Sequence, residues 1–132
     1  MHAVAFFAPN IIMKVIIVLS ALLVLSSAET YNSENDDLDI EKLVSDPASL
    51  GAFLDCFNDK GACDELSGDF KKDLREAVEQ ACEKCTAAQK HIFKRFLEVI
   101  KVQKADDYKI FQQKYDPENK YLPALEAAIA KY

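Results

Sequence analysis

The chain has 132 residues, half of them hydrophobic, with 16 basic and 22 acidic side chains and a net charge of -6. That length holds one domain. The acidic balance would repel a phosphate backbone, so no nucleic-acid partner is expected.

The apolar residues are unevenly spread, because 21 of them fall in Met1–Ala28, which carries a single charge, Lys14. Val15–Leu25 is an apolar run broken only by Ser20, preceded by Met13-Lys14 and followed by Ser26-Ser27-Ala28. This order of charge, apolar run and small residues predicts a secretory signal peptide cleaved after Ala28. Met13-Lys14 makes a better charged start than Met1–Ile12, so translation from Met13 is an alternative. A membrane span needs about 20 apolar residues, and Pro9-Asn10 and Lys14 stop the run from reaching back that far. No stable membrane insertion is therefore expected after cleavage. The expected mature domain, residues 29–132, has a charge of -7 once Lys14 is removed, and it holds all four cysteines. Cysteines in even number behind a leader predict two disulfides in an extracellular, oxidising setting.

Asn32–Asp39 is polar and acidic and reads as a flexible lead-in. Ile40, Leu43 and Val44 then fall at i, i+3, i+4, the spacing of one helix face. Asp46-Pro47 supplies an N-cap followed by proline at the first helical position. The second helix it opens carries Leu50, Phe53, Leu54 and Phe57 as a stripe, with Gly61 placed to end it or to turn the chain after it. A third helix is expected from about Asp64 or Ser67, with Phe70, Leu74, Ala77, Val78 and Ala81 on one face. Thr86 and Gln89 form a capping box before a fourth helix bearing Ile92, Phe93, Phe96, Leu97, Val99 and Ile100. Asp106 or Asp107 is the expected cap of a fifth, presenting Tyr108, Phe111 and Tyr115, which Asp116-Pro117 closes. A last helix runs from about Pro117 or Pro123 to Ala130, with Leu122, Leu125 and Ile129 inward. No segment after Ala28 alternates as a strand does, so the fold class is all-α, with about six short helices.

The cysteines fall as C-x6-C-x18-C-x2-C, at Cys56, Cys63, Cys82 and Cys85. Four cysteines allow three pairings. Local closure is sterically open to both close pairs, but in the chain-entropy model loops of eight and four residues constrain the unfolded chain by only about 2.5 and 1.9 kcal/mol, against about 3.5 for a Cys56–Cys82 link. A zinc site would need two close-set knuckles, and only Cys82-Glu83-Lys84-Cys85 makes one. A redox C-x-x-C belongs at a strand-to-helix turn, which is missing here. No metal and no cofactor is expected.

This spacing resembles the insect chemosensory proteins, also called the OS-D or sensory appendage family. Asp36-Asp37-Leu38-Asp39-Ile40-Glu41 is similar to that family's opening motif, and Asp59-Lys60-Gly61-Ala62-Cys63 to its Asp-Lys-Gly-x-Cys turn. Cys82-Glu83-Lys84-Cys85-Thr86-Ala87-Ala88-Gln89-Lys90 and Lys114-Tyr115-Asp116-Pro117-Glu118-Asn119-Lys120-Tyr121 match two further signature stretches. The resemblance covers Asn35–Tyr121. It implies six helices around a hydrophobic channel, bridges Cys56–Cys63 and Cys82–Cys85, and a secreted monomer carrying fatty acids, alcohols, esters or pheromone-like volatiles. The chain departs from the family at Phe53, where tyrosine is usual, at Tyr108, where tryptophan is common, and at Asp64-Glu65-Leu66-Ser67-Gly68 after the second cysteine.

Catalytic groupings are sparse, and no enzyme activity is expected. His91 is the one histidine after Ala28 and stands beside no nucleophile motif. The channel-lining candidates are Leu43, Val44, Leu50, Phe53, Leu54, Phe57, Leu74, Val78, Phe93, Phe96, Ile100, Tyr108, Phe111, Tyr115 and Tyr121. Periodicity alone would make any one of them plain core. Tyr31, Phe53, Tyr108, Tyr115 and Tyr121 are the expected aromatic contacts of a ligand. A signalling factor acting through a protein partner is the alternative from another functional class.

Overall fold

The computed structural model describes residues 29–132; the expected leader lies outside them. Six helices follow in order: α1 Ile40–Ser45, α2 Pro47–Phe57, α3 Glu65–Glu79, α4 Ala87–Gln103, α5 Ala105–Tyr115 and α6 Leu122–Ile129. None of them is long and apolar enough to cross a membrane.

Local chemistry sets most of the helix starts. Asp39 accepts the Lys42 N–H at 3.1 Å, and Asp46 accepts that of Ala48 at 3.1 Å with Pro47 in the first turn. The cap of α3 is Asp64, while Ser67 stands at N3 and closes the box from the other side: the Ser67 N–H donates to Asp64 Oδ1 at 2.7 Å and the Asp64 N–H to Ser67 Oγ at 3.1 Å. Thr86 and Gln89 form the same reciprocal pair on α4, at 3.1 and 2.9 Å. Each such cap satisfies donors that a helix start otherwise leaves orphaned.

Two expectations are corrected. Neither Asp106 nor Asp107 caps α5; the helix begins at Ala105 after an uncapped Lys104, and both acids lie in its first turn, where the helix dipole favours negative charge. Gly61 does not make the turn after α2. The left-handed residue there is Asp59, φ 60°, and the Lys60 N–H closes on the Asp55 carbonyl at 2.8 Å in the manner of a Schellman ending. Gly61 serves a close approach instead, since a Cβ there would meet the Asp55 Cβ at 3.2 Å. The last helix starts at Leu122, with Pro123 in its first turn as expected, and its cap comes from upstream. Fully buried Asp116 accepts the backbone N–H groups of Lys120, Tyr121 and Leu122 at 2.9 to 3.0 Å.

α3 also ends in a Schellman arrangement. The Cys82 N–H reaches the Ala77 carbonyl at 2.8 Å, and Ala81 takes the left-handed position, φ 54°, that glycine usually fills. Both bridges follow these two endings. Cys56–Cys63 and Cys82–Cys85 are paired as the resemblance implies, with Cα separations of 4.9 and 5.0 Å.

The helices pack as two regions. α1 lies on α4 and α2, and α2 on α3; α5 and α6 close against α2, α3 and α4 from the other side. In the second region Ile100, Phe111, Leu122, Leu125 and Ile129 have essentially no exposure, the Phe111 and Tyr115 rings meet at a tilt with centroids 4.8 Å apart, and the Tyr115 hydroxyl donates to the Phe57 carbonyl at 2.6 Å. Burial pushes the Tyr115 phenol up to about 12, helped by the charge of Asp59 and opposed by Arg75. Arg95 grips Glu41 through two hydrogen bonds, 2.6 and 2.9 Å, holding short α1 to α4. Asp59 receives Lys71 of α3 and Lys114 of α5, which join the α2 turn to both helices.

Burial alone would raise the Asp116 carboxyl, but the three backbone donors outweigh it and hold it below the usual range. Asp59 is drawn down to about 2, chiefly by its bonds from Lys114 and Lys71. A carboxyl lowered on folding stabilises above its unfolded value, near 4, and loses that contribution as pH falls through the folded value. Asp116→Ala is expected to cost about 2 kcal/mol at pH 7. In urea unfolding it should also show a smaller loss of stability than wild type between pH 5 and 2. Ala81→Gly is expected to raise stability by up to about 1 kcal/mol by relieving the left-handed alanine, read from the same unfolding curves.

Candidate binding cavity

The first region is not filled. Between α1, α2, α3 and α4 lies a cavity of about 100 Å³ measured as the space open to the centre of a water-sized sphere, within about 880 Å³ of empty space that includes its open mouth. Room for one water takes about 10–15 Å³ on the first measure, so this is well beyond a packing defect. Its walls are built by helical spacing. Ile40 and Leu43 come from α1, Phe53 and Phe57 from α2, Phe70, Leu74 and Ala77 at i, i+4, i+7 from α3, and Ile92, Phe93 and Phe96 from α4. Cys85 brings the second bridge into the wall. Phe57 meets Phe53 and Phe96 edge to face at 5.9 and 5.5 Å, and Phe53 meets Phe70 at 6.4 Å. Such edge contacts hold aromatic rings in defined positions.

A strap, residues 31–38, covers one side of the cavity. The Tyr31 N–H donates to the Lys84 carbonyl at 2.9 Å, and its hydroxyl to Glu76 at 2.8 Å. The Gln89 amide donates to the Asn32 carbonyl at 2.9 Å, Asn35 to Asp69 at 3.4 Å, and the Thr86 hydroxyl to Asp36 at 3.0 Å. Burial, then the bonded and charged Glu76, push the Tyr31 phenol above its ordinary range, while the Tyr31 bond holds the Glu76 carboxyl low. The strap contributes Tyr31, Leu38, Asn32, Glu34 and Asn35 to the lining. With Asp69, Lys72, Asp73 and Gln89 these make a polar rim around an uncharged interior.

Of the residues expected to line a channel, Leu43, Phe53, Phe57, Leu74, Phe93 and Phe96 meet around this cavity. Val44, Leu50, Leu54, Val78, Ile100, Phe111 and Tyr115 are buried elsewhere in the core. Tyr108 and Tyr121 are half-buried outside it, Tyr108 stacked on Phe111 at 6.3 Å. Tyr31, expected as an aromatic contact, also lines the cavity, whereas Ile40, Phe70, Ala77, Cys85, Ile92 and the rest of the strap and rim are not among the expected lining residues. The stripe Phe70, Leu74, Ala77 was the available signal, since a small residue on an aromatic face leaves room. His91 is exposed, its Nδ1 3.1 Å from the Tyr132 carbonyl, and stands outside the lining. Among the described residues no three or more of His, Cys, Asp and Glu gather as a metal site.

The fold has a solved counterpart, and the sequence has relatives. The fold matches that of a solved chemosensory protein in complex with bromo-dodecanol, with a TM-score of 0.68 at 23% identity, over 74% of this chain and 98% of that one. Ejaculatory bulb-specific protein 3 of Drosophila melanogaster is 31% identical, spanning 87% of this chain and 93% of its own. Allergen Tha p 1 of Thaumetopoea pityocampa is also 31% identical, over 70% of this chain and 74% of its own. The family described as insect pheromone-binding, A10/OS-D, matches residues 31–123. The cysteine framework, the six helices and this match over well more than half of the chain agree, and the protein belongs to the A10/OS-D family.

Proposed function

We propose that the protein is a secreted monomeric carrier that binds one small lipophilic molecule in the cavity between α1 and α4, after removal of residues 1–28. The carrying observation is the apolar space itself, walled by Phe53, Phe57, Phe93 and Phe96 and reached past a polar rim. Burying a methylene is worth about 0.8 kcal/mol. Ten of them therefore supply about 8 kcal/mol, the scale of micromolar binding before association costs are subtracted and head-group contacts added. A long alkyl chain thus suits the site better than a compact volatile. The bromo-dodecanol held by the chemosensory protein of like fold and the pheromone-binding description of the family support this reading. The function is binding without catalysis: the walls of the cavity are mostly aliphatic and aromatic, and its polar side chains stand at the rim.

Ala77→Phe, which fills the cavity from α3, is expected to weaken binding of a fluorescent apolar probe by about tenfold or more, as loss of two buried methylenes would. Tyr108→Ala, outside the lining, should leave the affinity within about twofold of wild type. Equal effects of the two, read by probe titration, would contradict this placement of the site.

A further inference from the structure

Asp69, Asp73 and Glu76 stand at i, i+4 and i+7 on α3, along the edge beside the cavity wall formed by Phe70, Leu74 and Ala77. Their carboxylates are not equivalent. Asp69 accepts the Asn35 amide at 3.4 Å and pairs with Lys72 at 3.9 Å. Glu76 accepts the Tyr31 hydroxyl and pairs with Lys84 at 3.5 Å. Asp73 lies between these two anchor points, lines the cavity, and has neither a hydrogen bond nor an ion pair among the described residues. Burial raises its carboxyl above the usual range; Glu76 and Asp69 act in the same direction and Lys72 against. Glu34 of the strap adds another negative charge to the lining, in which Lys72 is the sole cation.

We infer that Asp73 selects the ligand's head group, so that the cavity takes long-chain amphiphiles with an uncharged, hydrogen-bond-donating head, as in an alcohol, and disfavours carboxylates. The inference rests on the carrier reading above. The site is the apolar cavity, and Asp73 only sorts what enters it. A half-buried carboxylate short of donors gains a charge-assisted hydrogen bond from a hydroxyl. A fatty-acid head in the same place would set two carboxylates side by side, where each disfavours ionisation of the other. Lys72 does not offset this freely, being within reach of Asp69.

The test compares 1-decanol, decanoate and methyl decanoate at pH 7.5, below micelle-forming concentrations, as competitors of a fluorescent apolar probe on wild type and Asp73→Asn. Asparagine keeps the size of the side chain and removes its repulsion from Asp69 and Glu76, so the variant should fold, as a thermal melt will verify. On wild type, decanol is expected to displace the probe at a concentration about tenfold or more below that for decanoate, with the ester between them. Because an alcohol is also the more hydrophobic ligand, the decisive reading is the change in that ratio: it should fall to about threefold or less in Asp73→Asn, mainly through tighter decanoate. Equal displacement by decanol and decanoate on wild type, or an unchanged ratio in Asp73→Asn, overturns the inference while leaving the carrier reading intact. Failure of every ten-carbon ligand to displace the probe overturns both.

Discussion

Two carboxylates seven residues apart on α3, Asp69 and Glu76, hold the strap that roofs the cavity. Seven helical residues span about 10 Å, and the Tyr31 and Asn35 side chains reach the two anchors from a strap that turns at Ser33–Asp36. It runs against the direction of α3, with Tyr31 at Glu76 and Asn35 at Asp69. The capping box of α4 supplies the other side of the frame: Gln89, which satisfies the Thr86 N–H, also donates to the Asn32 carbonyl, and Thr86 donates to Asp36. Helix capping and roofing of the cavity are thereby the work of the same two side chains.

The division between a hollow and a filled region explains how a small domain tolerates an internal space. Unfilled volume forfeits dispersion contacts, and a domain of this size has little stability to spare. The α5 and α6 side compensates with fully buried Phe111, Leu122, Leu125 and Ile129, the Tyr115–Phe57 hydrogen bond, and the triple backbone capture by Asp116. The two bridges add constraint at helix ends and do not cross between distant elements. A frame of fixed turns around whole helices leaves those helices free to shift by small amounts against one another. On the carrier reading proposed above, that freedom suits a cavity that takes alkyl chains of different length.

Much of the fold was legible in the sequence because it is written in local chemistry. Pro47 after Asp46, Thr86 with Gln89, and the i, i+3, i+4 stripes of α1 and α2 act within a few residues of themselves, and each stands where expected. Features set by closure geometry were harder to read. Gly61 drew attention as a turn glycine, yet the left-handed position falls two residues earlier, on Asp59, because a Schellman ending is counted from the last helical turn. Asp116 was legible as the end of α5 but not as the cap of α6, since nothing in a one-dimensional pattern shows a carboxylate reaching forward six residues. The cavity itself was least legible. Leu74 and Val78 occupy one helical stripe, but the first faces empty space and the second is plain core; periodicity scores them alike. Asp73 reads in sequence as one more solvated acid, and only the bonds made by its neighbours to the strap single it out.

Locating a bound ligand is the most direct test of where the cavity holds its cargo. Crystals of the protein grown with a bromine-tipped long-chain alcohol would place the halogen by its anomalous scattering. The bromine and the alkyl density are expected between α1, α2, α3 and α4, in contact with Phe57, Leu74 and Phe96 and with the hydroxyl near Asp73. Density beside Tyr108, Phe111 and Tyr121 instead, or none within the helical frame, would contradict this placement.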